Sequence, residues 1–130
     1  MADWLDSAEG KAAAAEIGRF VDRHREDLIG LLAALVAEPS PNPPGHCAGV
    51  AHVLGEWLGA RGIACESLAR TPDKPNLVAT LEGGGTGRHL ILNGHMDTIP
   101  PGDEKAWRVP LYHLTRRDGR LHGLGPGNMT

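Results

Sequence analysis

Four prolines within six residues, Pro39, Pro41, Pro43 and Pro44 in "PSPNPP", constrain this chain more than any other feature. Proline has no amide hydrogen and its ring clashes with the preceding turn, so no helix runs through such a stretch. Upstream, Phe20, the half-apolar His24, Leu28, Leu31, Leu32, Leu35 and Val36 recur at helical spacing and predict one long helix that stops at the prolines. "SPNPPG" then reads as a rigid connection. Beyond it Val50, Val53, Leu54, Trp57 and Leu58 predict a second amphipathic helix, closed by "ARG" with Gly62 as its C-terminal cap. Residues 1–16, with "AAAA" and scattered charge, read as a frayed helical extension. At 130 residues the chain has room for one core.

After Gly62 the pattern changes. "IACESLA", "NLVATLEG" and "RHLILNGH" are short β-prone runs separated by Pro, Asp or Gly clusters, and they read as three strands. "EGGGTG", residues 82–87, is short enough to join the second to the third as a hairpin. It fails as a phosphate-binding loop, because no Gly-Lys-Ser/Thr follows it and no helix comes next. The fold class expected is α/β, with two helices followed by a small, mainly three-stranded sheet in which "HLILN" is central. From Thr98 to Arg117 the chain looks irregular apart from an edge segment "LYHLTRR". "DGRLHGLG" resembles a turn and a short strand leading into a glycine-rich loop.

Thirteen basic residues against sixteen acidic ones give a net charge of −3, and no basic block could track a phosphate backbone, so nucleic acid is not an expected partner. "MADWLDSAEG" is acidic where a secretory signal is basic. The longest apolar stretch, "LIGLLAALVA", is about half of what a bilayer crossing needs. A soluble cytoplasmic protein without a membrane partner is expected. Cys47 and Cys65 form no Cys-x-x-Cys pair and read as reduced thiols.

His95 and Asp97, in "NGHMDTIP", leave the apolar run two positions apart and so point to one side of an extended chain. Such a pair suits a metal site, in which His95 offers one ring nitrogen and Asp97 holds the other and fixes the tautomer. Taken alone, it is better read as a hydrogen-bonded pair on a surface loop, because loops are full of such pairs. The remaining histidines, His24, His46, His52, His89, His113 and His122, show no ligand spacing. Asp103 and Glu104 read as a solvated turn, and Trp107 as a packed loop anchor before a substrate wall.

The combination of "LILNGHMDTIPPGDEKAW" with "RDGRLHGLGPGNM" some twenty residues later resembles one family of co-catalytic metallopeptidases. It comprises the aminoacylases, acetylornithine deacetylases, succinyl-diaminopimelate desuccinylases and glutamate carboxypeptidases. There a strand runs into Gly-His-x-Asp-Thr-Val-Pro, a Trp follows, and then Asp-Gly-x-Leu-Tyr-Gly-Arg-Gly-x-x-Asp-Met-Lys-Gly. "KPNLVATLEG" and the two leading helices also match, so the resemblance covers about residue 20 to the end.

The resemblance implies that residues 17–130 are the first part of a zinc-peptidase-like catalytic domain. It places a metal ligand on His95 and the acidic residue that supports it, counted with the catalytic groups, on Asp97. The metal-bridging aspartate falls on Asn128, a neutral amide where the family has a carboxylate between two dications about 3.5 to 4 Å apart. Zn2+ or Co2+ is the implied cofactor, one or two ions in the full-length family and weakly held here. The implied activity is hydrolysis of amide bonds in N-acyl amino acids or short peptides. The family's Glu-Glu pair, a further acidic ligand and a final histidine lie downstream of these 130 residues, so the chain alone is expected to be inactive. The alternative is a non-catalytic binding or interaction module derived from that fold. An open sheet edge makes a homo-oligomer a further expectation.

Overall fold

The protein is represented by a computed structural model that describes residues 2–127. It divides into two compact units, one up to Gly30 and one from Leu31 onward.

In the first unit, α1 (Ala2–Asp6) is followed by α2 (Ala8–Arg23). Ser7 caps α2: its Oγ accepts from the amide of Gly10 at 3.0 Å, satisfying one of the donors that every helix start leaves over. Residues 1–16, read as an extension, thus contain a capped helix start. The long helix expected up to the prolines is interrupted once. His24 stands between α2 and α3 (Arg25–Val36) at φ −102°, ψ 14°, outside helical geometry. The bonding pattern nevertheless crosses it, from His24 N to Phe20 O at 3.1 Å and from Leu28 N to His24 O at 3.0 Å. Its ring lies 4.4 Å from that of Phe20, in keeping with a half-apolar role. Ile17, Phe20 and Val21 remain exposed.

In the second unit, the end of α3 stops two residues short of Pro39, as the proline cluster requires. Leu35 and Val36 from α3, Cys47, Val50 and Ala51 around the start of α4 (Ala48–Gly59), and Leu124 are buried and form the core. Burial of a side chain such as Val50 contributes about 1.5–3 kcal/mol. Gly123 makes this packing possible: a Cβ there would come to 3.1 Å from Val36 Cγ1, while the next amide, Leu124 N, reaches Leu111 O at 2.8 Å. No helix among the described residues is long and apolar enough to cross a membrane.

The α/β class holds, but the sheet differs from the one expected. β1 (Cys65–Leu68) pairs antiparallel with β2 (Asn76–Ala79), Cys65 opposite Ala79 and Leu68 opposite Asn76, and α4 packs against both. β3 (Thr115–Arg117) pairs with β4 (Arg120–His122) across a two-residue turn in which Asp118 and Gly119 both have positive φ, 51° and 71°. These are the dihedral signs of the turn that best matches strand twist, and Asp-Gly suits it. "LYHLTRR" and "DGRLHGLG" therefore meet as one hairpin. The third strand expected, with Leu90–Asn93 at its centre, is not a strand. It has no strand partner among the described residues, Leu90, Ile91 and Leu92 being 81%, 86% and 87% exposed. "EGGGTG" accordingly closes no hairpin and runs as an open loop. An apolar run shows that burial would be favourable. A strand also needs a neighbouring backbone to take its amides and carbonyls, and among the described residues none lies alongside.

Gly62 ends α4 as expected. It sits at φ 74°, its amide donates to Gly59 O at 2.9 Å and that of Ile63 to Leu58 O at 3.0 Å, the paired bonds of a Schellman motif. Nothing lies within 4 Å of a Cβ built on it, so only backbone conformation opposes a side chain there. Gly62→Ala should lower unfolding stability by about 1 kcal/mol, and Gly62→Asn by less, since asparagine tolerates this conformation. Urea denaturation of the three proteins checks the order.

Candidate active site

The site is built where two segments distant in sequence are fastened together. Asn42 N donates to Thr98 O at 2.8 Å and Thr98 N to Ser40 O at 2.9 Å, a parallel bridge centred on Pro41 and Thr98. The proline loop thereby lies against the segment that carries His95 and Asp97. Gly45, at φ 75°, turns the loop back with its amide on Pro41 O at 2.9 Å, and the start of α4 is tied down by Cys47 N to Asp73 O at 2.8 Å.

His95 and Asp97 come together. His95 Nδ1 lies 3.1 Å from Asp97 Oδ1 and 2.9 Å from the Asp97 backbone oxygen. The other carboxylate oxygen, Oδ2, accepts from Asn42 Nδ2 at 2.8 Å. This donor first, with smaller help from the positive character of His95 and against some desolvation, holds the Asp97 carboxyl below the usual aspartate range. No described residue bonds His95 Nε2, and both side chains are partly exposed. An imidazole with one nitrogen engaged by a carboxylate and the other open is the arrangement of a metal-ligating or proton-transferring histidine.

Asn128, expected as a second ligand, lies outside the described residues. Among the described residues no three His, Cys, Asp or Glu side chains converge as a metal cage would require. The donor chemistry present thus fits one imidazole ligand with its supporting carboxylate. In the glycine-rich loop before it, Gly123 packs on Val36 and Gly125 turns at φ 90°.

Other polar groups near the pair have plainer roles. Burial pushes the Cys47 thiol up, and the nearby Asp97 adds to this against Lys74, so the thiol stays protonated and is no nucleophile. Cys47 and Cys65 are both free. Asp103 caps the short 3-10 turn Glu104–Ala106 by accepting from Lys105 N at 3.0 Å. Trp107 anchors its loop through Nε1 to Pro101 O at 2.9 Å. It also borders a groove of about 580 Å³ with Val109, Arg117, Leu121 and His122, which neither His95 nor Asp97 lines. Sequence reasoning took "SPNPPG" as a spacer and missed Asn42. The available signal was one amide side chain set between prolines.

Two outcomes follow from this geometry. Because the folded-state value of Asp97 is depressed, its contribution to stability is complete above the ordinary aspartate value of about 3.9 and disappears as the pH falls through the lower folded-state value. The stability difference between the wild type and Asp97→Ala should therefore be constant from neutral pH to about 5 and shrink below about 4. Urea midpoints measured against pH check this. Thr98 is buried and its Oγ1 has no partner among the described residues. Thr98→Val should leave stability unchanged or raise it by about 1 kcal/mol, since it removes an unsatisfied hydroxyl and keeps the side-chain shape. Thermal melts report that.

No protein-family profile matches the chain. Individual relatives do. It is 32% identical over 117 residues, 88% of its length, to an N-formyl-4-amino-5-aminomethyl-2-methylpyrimidine deformylase of Halalkalibacterium halodurans, of which it covers 27%. It is 36% identical over 107 residues, 79% of its length, to a succinyl-diaminopimelate desuccinylase of Parvibaculum lavamentivorans, of which it covers 26%. The deformylase of Bacillus subtilis is 29% identical over 84% of the chain, which covers 26% of that relative. The chain thus spans about a quarter of the length of the curated relatives it matches. Those relatives are hydrolases named for removing a formyl or a succinyl group. With the Gly-His-x-Asp-Thr segment and the Asp-Gly hairpin in place, this similarity makes the chain a homologue, over most of its own residues, of hydrolases named as succinyl-diaminopimelate desuccinylases and formyl-aminopyrimidine deformylases.

Proposed function

We propose that this chain carries part of the active centre of a metal-dependent hydrolase that cleaves the amide bond of an N-acyl amino acid or small peptide. The observation that supports the reading best is the His95 ring, with Nδ1 held by Asp97 and Nε2 bonded by no described residue. His95 would hold a zinc or cobalt ion through Nε2, with Asn128 as a weaker second donor. When bound, such an ion polarises the acyl oxygen and acidifies a water molecule. Asp97 keeps the ring oriented and leaves its outward nitrogen unprotonated. The names of the relatives, one a deformylase and one a desuccinylase, favour a substrate class defined by a small acyl group on nitrogen. The groups that complete such a centre, a glutamate base above all, are proposed to come from sequence that the matched relatives have and these 130 residues do not contain.

A second reading, a non-catalytic binding module derived from the same fold, draws on the absence of a three-residue ligand cluster among the described residues. One titration separates the two. An amide oxygen is a poorer zinc ligand than a carboxylate. Zinc should therefore bind the wild type weakly, Asn128→Asp at least about tenfold more tightly, ~1.4 kcal/mol, and His95→Ala not measurably. Equal heats for all three proteins would leave the binding module standing. The chain by itself, supplied with zinc or cobalt, should not hydrolyse N-formyl, N-acetyl or N-succinyl amino acids. Turnover abolished by His95→Ala would show that the essential base is already present.

A further inference from the structure

We propose that Asn42 is a positioning residue of the His95–Asp97 pair: its side-chain amide fixes the carboxylate, and through it the tautomer of the histidine. Asp97 is held at both ends, by Asn42 Nδ2 on Oδ2 at 2.8 Å and by His95 Nδ1 near Oδ1 at 3.1 Å. Rotation of the carboxylate that broke one contact would break the other. His95 Nδ1 faces two oxygens, the Asp97 carboxylate and the Asp97 carbonyl, and both only accept. Nδ1 must therefore carry the hydrogen, which leaves the lone pair of the neutral ring on the outward nitrogen Nε2. A solvated neutral histidine favours the opposite tautomer; here the Asp97 carbonyl accepts from Nδ1 at 2.9 Å, and the carboxylate that Asn42 places at 3.1 Å strengthens the preference for Nδ1–H.

Asn42 is itself fixed by its surroundings. Its backbone amide is spent on Thr98 O at 2.8 Å, and Pro41 and Pro43 restrict the chain on either side. Gly45 stands against its amide: a Cβ on Gly45 would lie 3.1 Å from Asn42 Cγ and 3.3 Å from both Nδ2 and Oδ1. Only the orientation with Nδ2 toward Asp97 places a donor on the carboxylate; the flipped amide would oppose two oxygens. A donor held in this way loses little freedom when it bonds, and so directs its partner more firmly than a mobile side chain could. The proline loop is on this account the outer support of the site, and "NPPG" supplies both the donor and the glycine that makes room for it.

The inference rests on the reading of His95 and Asp97 as site residues, but the tautomer belongs to the chain without any metal and can be measured there. Long-range 15N–1H correlation spectra of the metal-free protein at alkaline pH, with His95 assigned through His95→Gln, should show the wild-type ring protonated at Nδ1. In Asn42→Ala, Asn42→Asp and Gly45→Ala the His95 ring should gain a measurable Nε2–H fraction while the patterns of the other histidines stay unchanged. Gly45→Ala keeps the amide and displaces it, so it tests position separately from chemistry. A tautomer ratio in the folded Asn42 variants equal to that of the wild type would overturn the proposal. Loss of the circular dichroism of both Asn42 variants would also overturn it, by making the residue one of general stability. Zinc titration of the same proteins should show affinity falling by about tenfold in Asn42→Ala. Should the wild type bind no zinc while its tautomer still depends on Asn42, the proposed function fails and the positioning role stands.

Discussion

The parallel bridge between the proline loop and Thr98 is the constraint on which the rest of the site depends. Each of its two backbone hydrogen bonds, Asn42 N to Thr98 O and Thr98 N to Ser40 O, is worth only about 1 kcal/mol net. Their importance is geometric. They set residues 40–42 alongside residues 97 and 98, and only in that register does the Asn42 amide meet the Asp97 carboxylate. The prolines make the register reproducible, because a loop with several fixed φ angles has few other ways to lie.

From that junction the chemistry follows outward through charge-assisted contacts. Asn42 stabilises the ionised form of Asp97, the ionised carboxylate faces His95 Nδ1, and the opposite ring nitrogen is left as the available base or ligand. The same carboxylate works against ionisation of the buried Cys47 thiol, which separates the two potential reactive groups of this corner. The relatives are named as a deformylase and desuccinylases. The chain shares with them a segment about a quarter of their length that includes this corner.

Several elements were legible because their causes are local. The helix stop before Pro39, the positive φ of Gly62 and the Asp118–Gly119 turn each follow from what a single residue type permits in its own backbone. The pairing of His95 with Asp97 was legible for the same reason, since alternation along an extended chain puts them on one side. The run around Leu90–Leu92 was not. Its composition reports a tendency to be buried, and it is silent about whether another backbone is there to complete a strand. The break at His24 also escaped the periodic pattern, which continues on both sides of it with hydrogen bonds intact.

The amino-acid sequence by itself thus determined where helices end, where the chain turns and which two side chains share an edge, because these depend on dihedral limits and short-range alternation. It also carried the resemblance to the desuccinylases and deformylases, through motifs read as strings. The tertiary structure alone decided that "CESL" pairs with "NLVA" and "TRR" with "RLH" while "LILN" pairs with neither. It alone decided that Asn42 stands 2.8 Å from Asp97, at a sequence separation of 55 residues. Contacts of that range are set by which segments fit together once the core has closed on Val36, Val50 and Leu124, and nothing in the spacing of the residues along the chain encodes them.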